Sequence, residues 1–335
     1  MGYNPPRMIF EDLADRALAG EPLSRDDALG ILQSEDAELP ALLAAAWRVR
    51  RHHHGHTVKV HVLMNAKRGA CSEDCGFCAQ SSLATPELEP YRLQSADAIV
   101  LEAEQARARG AWKFCIVTAT RGPGDRDLDT VCEAVRRIKQ TVPIRVCTSL
   151  GLLTAEKASR LAGAGVDRFN HNLESSERFF PSVCSTHTWR DRVETLKLAK
   201  AAGMELCSGG IVGMGETPGD VVDLALAVRE LDVDSIPVNF LMESWSGAPR
   251  SAVPVTPAYA LKALCLFRLA NPAKDIRAAA GRETSLRSLQ PLALYPASSI
   301  FTDGYLNTQG QGVAADLQMI QDLGFETIQM EEAHA

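Results

Sequence analysis

The sequence predicts an α/β fold, a (β/α)8 barrel of the TIM type with a helical extension at its N-terminus and one further helix at its C-terminus. Three observations carry that expectation. From Val58 onward, short β-rich runs alternate with amphipathic helical stretches, eight strands in all. Gly110, Gly163, Gly165, Gly203 and Asn271 stand near the predicted helix ends, where left-handed caps are favoured. No linker or low-complexity stretch divides the alternation, and 335 residues with 46% hydrophobic content can bury one large core.

Residues 1–55 read as the helical extension. Ser24 is placed to cap a helix, with Asp27 three residues on and Ala28, Leu29, Ile31 and Leu32 on one face. A second helix carries Leu42, Leu43, Ala46 and Trp47, and the histidines at 52–54 and 56 that follow read as a solvated flank. Residues 56–310 form the barrel. Strands are expected at Val58–Met64, Lys113–Thr118, Ile144–Thr148, Val166–His171, Glu205–Val212, Ser235–Leu241, Asp275–Ala280 and Ser298–Phe301. Helices are expected at Ala96–Arg109, Asp127–Gln140, Ala155–Ala162, Trp189–Ala202, Asp220–Leu231 and Ala258–Leu269. Residues 311–335 form the C-terminal extension, with a surface helix over Val313–Leu323 ahead of Gly324.

Directly after the first strand, Cys71-Ser-Glu-Asp-Cys75-Gly-Phe-Cys78 sets three thiols within eight residues. Three thiolates on one tight loop can each hold one iron of a cubane [4Fe–4S] cluster, leaving the fourth iron without a protein ligand. A purely electron-carrying cluster normally has four such ligands, so the count points to chemistry at an open iron. A structural zinc site is the competing reading. It wants a fourth Cys or His, and His61 with the histidines at 52–56 lies upstream. Thiols without any metal role are the third reading.

Cys115, Cys147 and Cys207 fall inside predicted strands two, three and five, and Arg277 inside strand seven. Each cysteine alone fits a small buried hydrophobe, and Arg277 alone fits an ion pair with an acid such as Glu283. Together, on separate strands of a barrel whose chemistry gathers at the strand C-terminal ends, they fit a second metal site better. Cys132 and Cys265 lie on apolar helix faces and read as core, while Cys184, in a loop ahead of His187, has no assigned role. The glycines of Gly209–Gly215 match a dinucleotide loop only superficially, because the surrounding repeat is wrong for a Rossmann half.

A net charge of −7 argues against a nucleic-acid partner. The longest apolar stretch, Leu39–Val49, is too short to span a membrane and contains Pro40 and Arg48. The first residues lack the charged-then-apolar layout of a secretory signal, and Pro6 occupies the Ser/Thr position that myristoylation requires. Nine cysteines in such a chain imply reduced thiols and metal ligation. The expectation is a soluble cytoplasmic protein without a membrane partner.

The Cys-x3-Cys-x2-Cys pattern, with Phe77 just before its last cysteine, resembles the signature of the radical S-adenosylmethionine (SAM) enzymes. Several segments narrow the likeness: Gly69–Ser81, Phe169-Asn-His-Asn-Leu-Glu174, Cys207–Glu216, Ser235-Ile-Pro-Val-Asn239-Phe and Ile276–Glu283 resemble the biotin synthase family, from about His56 to Phe325. The resemblance implies that Cys71, Cys75 and Cys78 hold a [4Fe–4S] cluster whose open iron chelates SAM, with Phe77 beside the adenine. It implies a [2Fe–2S] cluster held by Cys115, Cys147, Cys207 and, unusually, Arg277. Arginine is ordinarily a permanent cation, so this role rests on the resemblance alone.

By the same resemblance, Asn170, Asn172 and Asn239 meet the ribose of SAM and the ureido ring of dethiobiotin. A neutral cyclic urea needs amide partners that both donate and accept. Glu174 stands where the family often has a shorter acid or amide, and it is expected at the ribose hydroxyls. Gly210 and Gly213 let backbone amides approach SAM. Thr302-Asp-Gly-Tyr-Leu-Asn307-Thr308 departs from the family's Gly-Asp…Thr-Thr wording but would cradle the substrate carboxylate through Asn307 and Thr308.

The implied reaction inserts sulfur between two unactivated carbons. Such C–H bonds offer a general base no acidic proton, so no protein group is nominated as catalytic and the radical is borne by the cofactor. Two hydrogen abstractions, each using one SAM, would let carbon radicals take sulfide from the second cluster. A reducing system such as flavodoxin or ferredoxin, iron–sulfur assembly proteins and a homodimeric state are further implications of the family. Two rival readings stay open. One is a barrel relative without sulfur insertion, such as the methylornithine synthase type, which would not need Cys147, Cys207 and Arg277 together. The other is a non-catalytic iron–sulfur or zinc protein.

Overall fold

The computed structural model describes residues 10–84, 89–242, 255–302, 304 and 310–328. Three helices come first: α1 (Phe10–Leu18), α2 (Arg25–Gln33) and α3 (Leu39–His54). As expected, Ser24 caps α2, its hydroxyl accepting from the Asp27 amide at 3.1 Å. The barrel strands follow: β1 (Thr57–Lys67), β2 (Lys113–Thr118), β3 (Arg145–Ser149), β4 (Arg168–Asn170), β5 (Glu205–Cys207), β6 (Gly210–Val212), β7 (Ser235–Phe240), β8 (Asp275–Ala278) and β9 (Ser299–Phe301). All pair in parallel, and β9 pairs back onto β1, so the sheet closes. β5 and β6 share one position in the barrel, both against β7, which makes eight positions. The result is the expected (β/α)8 barrel.

The single strand expected over Glu205–Val212 is broken at Ser208–Gly209. There the chain passes so close to β7 that a Cβ on Gly209 would stand 2.0 Å from the Pro237 carbonyl oxygen. A strand with ordinary side chains could not follow that path. One short strand was not anticipated: β10 (Glu326–Thr327) pairs with the start of β1, after α11 (Val313–Asp322).

Between the strands run α4 (Ala96–Ala108), α5 (Asp125–Thr141), α6 (Ala155–Ala164), α7 (Trp189–Ala201), α8 (Pro218–Glu230), α9 (Pro257–Ala270) and the short α10 (Arg282–Leu286). Five of them start behind a Ser or Thr cap: Ser95, Thr154, Thr188, Thr217 and Thr256 each accept from the amide three residues on. α9 differs from its neighbours in being buried from Ala260 to Ala270 without a break. The reason is the N-terminal layer, since α1, α2 and α3 all pack on it. A helix covered on every side reads as apolar all round rather than as a stripe.

Two buried arginines fasten that layer to the strand N-terminal ends. Arg50 of α3 donates to the carbonyls of Ala297 (3.2 Å), Gly55 and Thr57. Arg268 of α9 donates to Pro296 (2.8 Å), Pro272 (2.9 Å) and Lys274 (2.7 Å). His54 faces the same knot, with Nε2 3.1 Å from the Lys274 carbonyl oxygen. The solvated flank expected for the histidine run therefore holds for the exposed His52 and His53 but not for His54. Burial and the neighbouring Arg268 push its imidazole down to about 3, so it is neutral at pH 7. Among the described residues, no helix is long and apolar enough to cross a membrane.

Arg268→Met keeps the apolar stem but removes the donor from the buried Pro296 carbonyl and from the half-buried Pro272 carbonyl, while His54 stays within reach of the Lys274 carbonyl. An unpaired buried polar group costs about 1–3 kcal/mol, so the variant is expected to lose about 1–3 kcal/mol in urea unfolding. A loss below about 1 kcal/mol would show that water replaces the guanidinium.

Candidate active site

Along a strand, alternate side chains face the same side. In the closed barrel this brings Lys113, Cys115 and Val117 of β2, Cys147 and Ser149 of β3, Cys207 of β5 and Arg277 of β8 to the wall of one cavity. The cavity spans about 1160 Å³ including its mouth. Cys71, Cys75, Phe77 and Cys78, on the loop after β1, line the same space, as do Asn170, Asn172 and Glu174 around the end of β4. The two cysteine groups singled out in the sequence thus share a single chamber.

The Cys71–Cys78 loop is tied to the segment ahead of α7. The Gly76 amide donates to the Val183 carbonyl at 2.8 Å, and the Asp74 carboxylate accepts from the Ser185 and Thr186 amides at 2.9 and 3.1 Å. Glu73 accepts from His187 Nδ1 at 2.6 Å, from Thr186 Oγ1 at 2.8 Å and from Arg121 at 3.2 Å. Burial pushes the Cys78 thiol up to about 11 and raises Cys71 as well. Without a metal these groups keep their protons at neutral pH, so metal ligation must displace them. Phe77 is buried, with Arg192 6.0 Å from its ring centroid.

The second group is set by strand register. Cys115 pairs with Cys147 across β2 and β3, and Asn170 with Cys207 across β4 and β5. Arg277 reaches Cys207 Sγ at 3.7 Å and donates to Ser235 Oγ at 2.5 Å. The hydrogen bond with Cys115, together with burial, pushes the Cys147 thiol up to about 12. Glu283, the acid weighed as a partner for Arg277, instead lies 3.2 Å from Arg282.

The cavity floor is rich in cations. Lys113, Arg168 and Arg277 are all buried there, against the fully buried Asp275 and the half-buried Glu205. Among the described residues, Lys113 Nζ, Arg277 Nε and His61 Nε2 have no hydrogen-bond partner. Burial, then Arg168 and Arg277, pull the Lys113 ammonium well below the usual lysine range when the thiols are neutral. Buried donors without acceptors are costly. Three thiolates around a small iron–sulfur core would supply the missing negative charge, so the donor set fits an anionic cluster.

Asn170 donates to Asn172 Oδ1 at 3.3 Å and to Cys207 Sγ at 3.2 Å, which places both amides at the chamber wall. Asn239 does not line the chamber: its amide donates to the Gly210 carbonyl and accepts from the Ala280 amide, each at 3.1 Å. Gly210 and Gly213 also lie outside the lining. A Cβ at Gly210 would stand 2.3 Å from the Glu174 carbonyl oxygen, and the Gly213 amide donates to Glu216 at 2.6 Å. Asn307 and Thr308 lie outside the described residues. Glu174 is buried at φ +68°, with Oε2 unpartnered among the described residues and Oε1 3.6 Å from Arg192. That free acceptor suits hydroxyl donors such as those of a ribose.

The radical SAM superfamily profile matches residues 68–228, and the biotin and thiamin synthesis associated domain matches 237–326. The biotin synthase of Salinibacter ruber is 56% identical over 324 residues, covering 96% of this chain and 90% of the relative. That of Bacillus subtilis strain 168 is 45% identical, covering 97% of each. The chain belongs to the biotin synthase family. As a radical SAM enzyme of that family it uses a [4Fe–4S] cluster and SAM. Methylornithine synthase superposes with a TM-score of 0.82 at 18% identity, covering 96% of this chain and 99% of that one. The FeFe-hydrogenase maturase of Carboxydothermus hydrogenoformans gives 0.81 at 18%, covering 95% and 79%. At such identities these two show the shared barrel alone.

Several chamber residues of this biotin synthase family member escaped the sequence reading. Lys113 carried a usable signal: it is a lone cation in the apolar run Trp112–Thr118, two residues before Cys115 and therefore on the same face. Arg192 of α7 carried none. It donates to the Asn172 carbonyl at 2.7 Å and to His187 Nε2 at 3.0 Å, contacts that only the folded chain creates.

Burial pushes the Glu174 carboxyl up from its ordinary 4.5 to about 7, Arg192 offsetting part of this. The folded chain then holds a proton that the unfolded chain has already lost. The penalty is absent below the unfolded value, grows as pH rises through this window, and is complete above about 7. At about 1.4 kcal/mol per pH unit, iron-free Glu174→Gln should gain up to about 3 kcal/mol over wild type between pH 4.5 and 7.5. Parallel stability curves for the two chains in urea unfolding would contradict the burial of that carboxylate.

Proposed function

We propose that this chain converts dethiobiotin to biotin by sulfur insertion, with Cys71, Cys75 and Cys78 holding the [4Fe–4S] cluster and Cys115, Cys147, Cys207 and Arg277 holding a [2Fe–2S] cluster. The observation that carries the reading is that both ligand sets line one chamber. When bound, these groups together with SAM supply a 5′-deoxyadenosyl radical at one end of the chamber and sulfide at the other. A carbon-skeleton rearrangement of the methylornithine synthase type would leave the buried Cys147, Cys207 and Arg277 without a purpose.

The chain's own part is positioning and shielding. Phe77 offers an aromatic face for the adenine, and Glu174 Oε2 offers an acceptor for the ribose hydroxyls. Asn170 and Asn172, each with donor and acceptor, suit the ureido ring, and an analogue lacking a ring N–H would leave them unpaired. Leu63 and Val117 give the chamber wall an apolar surface against which the hydrocarbon part of the substrate can pack. Asn239, Gly210 and Gly213 contribute indirectly by bracing the wall through the contacts given above. Asn307 and Thr308 are our candidates for the substrate carboxylate. The same reading takes the protein as a cytoplasmic homodimer, reduced by a flavodoxin or ferredoxin and loaded by iron–sulfur assembly proteins, with units at 1–55, 56–310 and 311–335.

Anaerobically reconstituted protein given reductant, SAM and dethiobiotin should yield biotin, and label introduced as sulfide into the second cluster should appear in the product. Cys71→Ala, Cys75→Ala or Cys78→Ala should abolish 5′-deoxyadenosine formation while the second cluster still assembles. Cys147→Ala should abolish biotin yet retain SAM binding, and Arg277→Ala should be milder because water or thiol can replace a weak ligand. Unlabelled biotin would remove the sulfur-donor role. 5′-Deoxyadenosine without any sulfur-bearing product would favour the rearrangement.

A further inference from the structure

Cys184 and His187 belong to neither ligand set, yet both are buried against the Cys71–Cys78 loop. Cys184 Sγ lies 3.7 Å from Cys75 Sγ, and 3.4 and 3.8 Å from Nδ1 and Nε2 of His187. Donor atoms of Cys75, Cys184 and His187 all fall within 4.8 Å of one another. A tetrahedral zinc holds sulfur at about 2.3 Å and imidazole nitrogen at about 2.0–2.1 Å, so its sulfur–sulfur edge is about 3.8 Å and its sulfur–nitrogen edge about 3.5 Å. The Cys75–Cys184 separation is that edge.

Thiols in mere contact also approach this closely, so a second feature has to decide. His187 Nδ1 lies 2.6 Å from the Glu73 carboxylate, which Arg121 and Thr186 hold in place. A carboxylate on one ring nitrogen fixes the tautomer that presents the other nitrogen to a metal. The other nitrogen, Nε2, now accepts from Arg192 Nε at 3.0 Å, and Arg192 has a second hold on the Asn172 carbonyl at 2.7 Å. Exchanging the first bond for a metal therefore leaves the guanidinium anchored.

We propose that Cys75, Cys184 and His187 form a site for one thiophilic divalent cation, zinc above all, in the chain that carries no cluster on the loop. Bound as thiolates, the two sulfurs neutralise the cation. Three protein ligands leave the fourth position to water. Because Cys75 stands in both sets, a cation here and a cluster on Cys71, Cys75 and Cys78 exclude each other, and zinc at this site holds the loop unloaded. The inference rests on donor atoms within the chain and does not depend on the reading of the second cluster.

Cobalt(II) is the probe, titrated anaerobically into the full-length iron-free chain. Wild type should take up one equivalent showing thiolate-to-cobalt charge transfer and the strong visible bands of tetrahedral cobalt, displaced by one equivalent of zinc. Cys184→Ser and His187→Ala should each weaken that equivalent at least tenfold, whereas Cys71→Ala and Cys115→Ala should bind as wild type does. Zinc-loaded wild type should acquire its [4Fe–4S] absorbance more slowly than zinc-treated Cys184→Ser. Loss of the signal in Cys71→Ala with retention in Cys184→Ser would place the cation on the three-cysteine loop and overturn the proposal, as would loss in Cys115→Ala alone. Circular dichroism checks each fold; should Cys184→Ser misfold, undiminished binding by Cys71→Ala remains a requirement.

Discussion

Pairing of β9 with β1 is the constraint on which the site depends. In an open sheet, Cys115 and Cys147 would still be neighbours, but Cys207 and Arg277 would lie strands away along the same face. Closure turns that face inward, and the two-residue period of each strand then brings every second side chain to a common axis. The register fixes the level at which they meet: Cys115 beside Cys147, and Arg277 beside Ser299 of β9. A one-residue slip of any of these strands would turn its ligand outward into the helical layer. The N-terminal helices guard against such slips from below, because Arg50 and Arg268 bind the carbonyls at the starts of β1, β8 and β9.

The chamber so formed is electrostatically incomplete as a chain of amino acids. Its Cys147 thiol is pushed up in pKa and holds its proton, while its floor presents Lys113, Arg168 and Arg277 to the buried Asp275. Burial alone would raise the Asp275 carboxyl, but Lys59, Arg277, His61 and Arg168 more than offset that and hold it well below the usual range. The same cations would stabilise thiolates once a metal draws their protons away. Ligand deprotonation and floor charge are thus two halves of one balance, which makes loading of the site pH-dependent in the sense that acid opposes it.

Much of this was legible in the sequence because it is written locally. The Cys71–Cys78 spacing lies within one loop, the helix caps lie three residues from their partners, and the strand cysteines sit in runs whose character a short window reveals. What escaped is non-local. His187 meets Glu73 across 114 positions, and the neighbours of Arg192 come from the cysteine loop and from the end of β4. Asn239 is reached through the resemblance, and its partners too are non-local: its amide donates to the Gly210 carbonyl of β6 and accepts from the Ala280 amide. The uniform burial of α9 likewise depends on three helices more than 200 residues earlier in the chain.

That same break explains the most strained residue of the chamber. Glu174 occupies the left-handed region at φ +68°, which for a non-glycine residue is uncommon and costs on the order of 1–3 kcal/mol. Its backbone is held from both sides: the Glu174 amide donates to the Gly209 carbonyl at 3.0 Å, and its own carbonyl accepts from the Ile211 amide at 2.9 Å. Both partners are available only because β5 stops at Cys207 and the chain resumes one level over at Gly210, where the absence of a Cβ admits the Glu174 backbone. An unbroken fifth strand would have paired with β7 throughout and left Glu174 free to relax. The irregular strand and the strained acid are therefore one device. It aims a buried carboxylate with an unpartnered oxygen at the chamber, a few residues from the asparagines that face the same space.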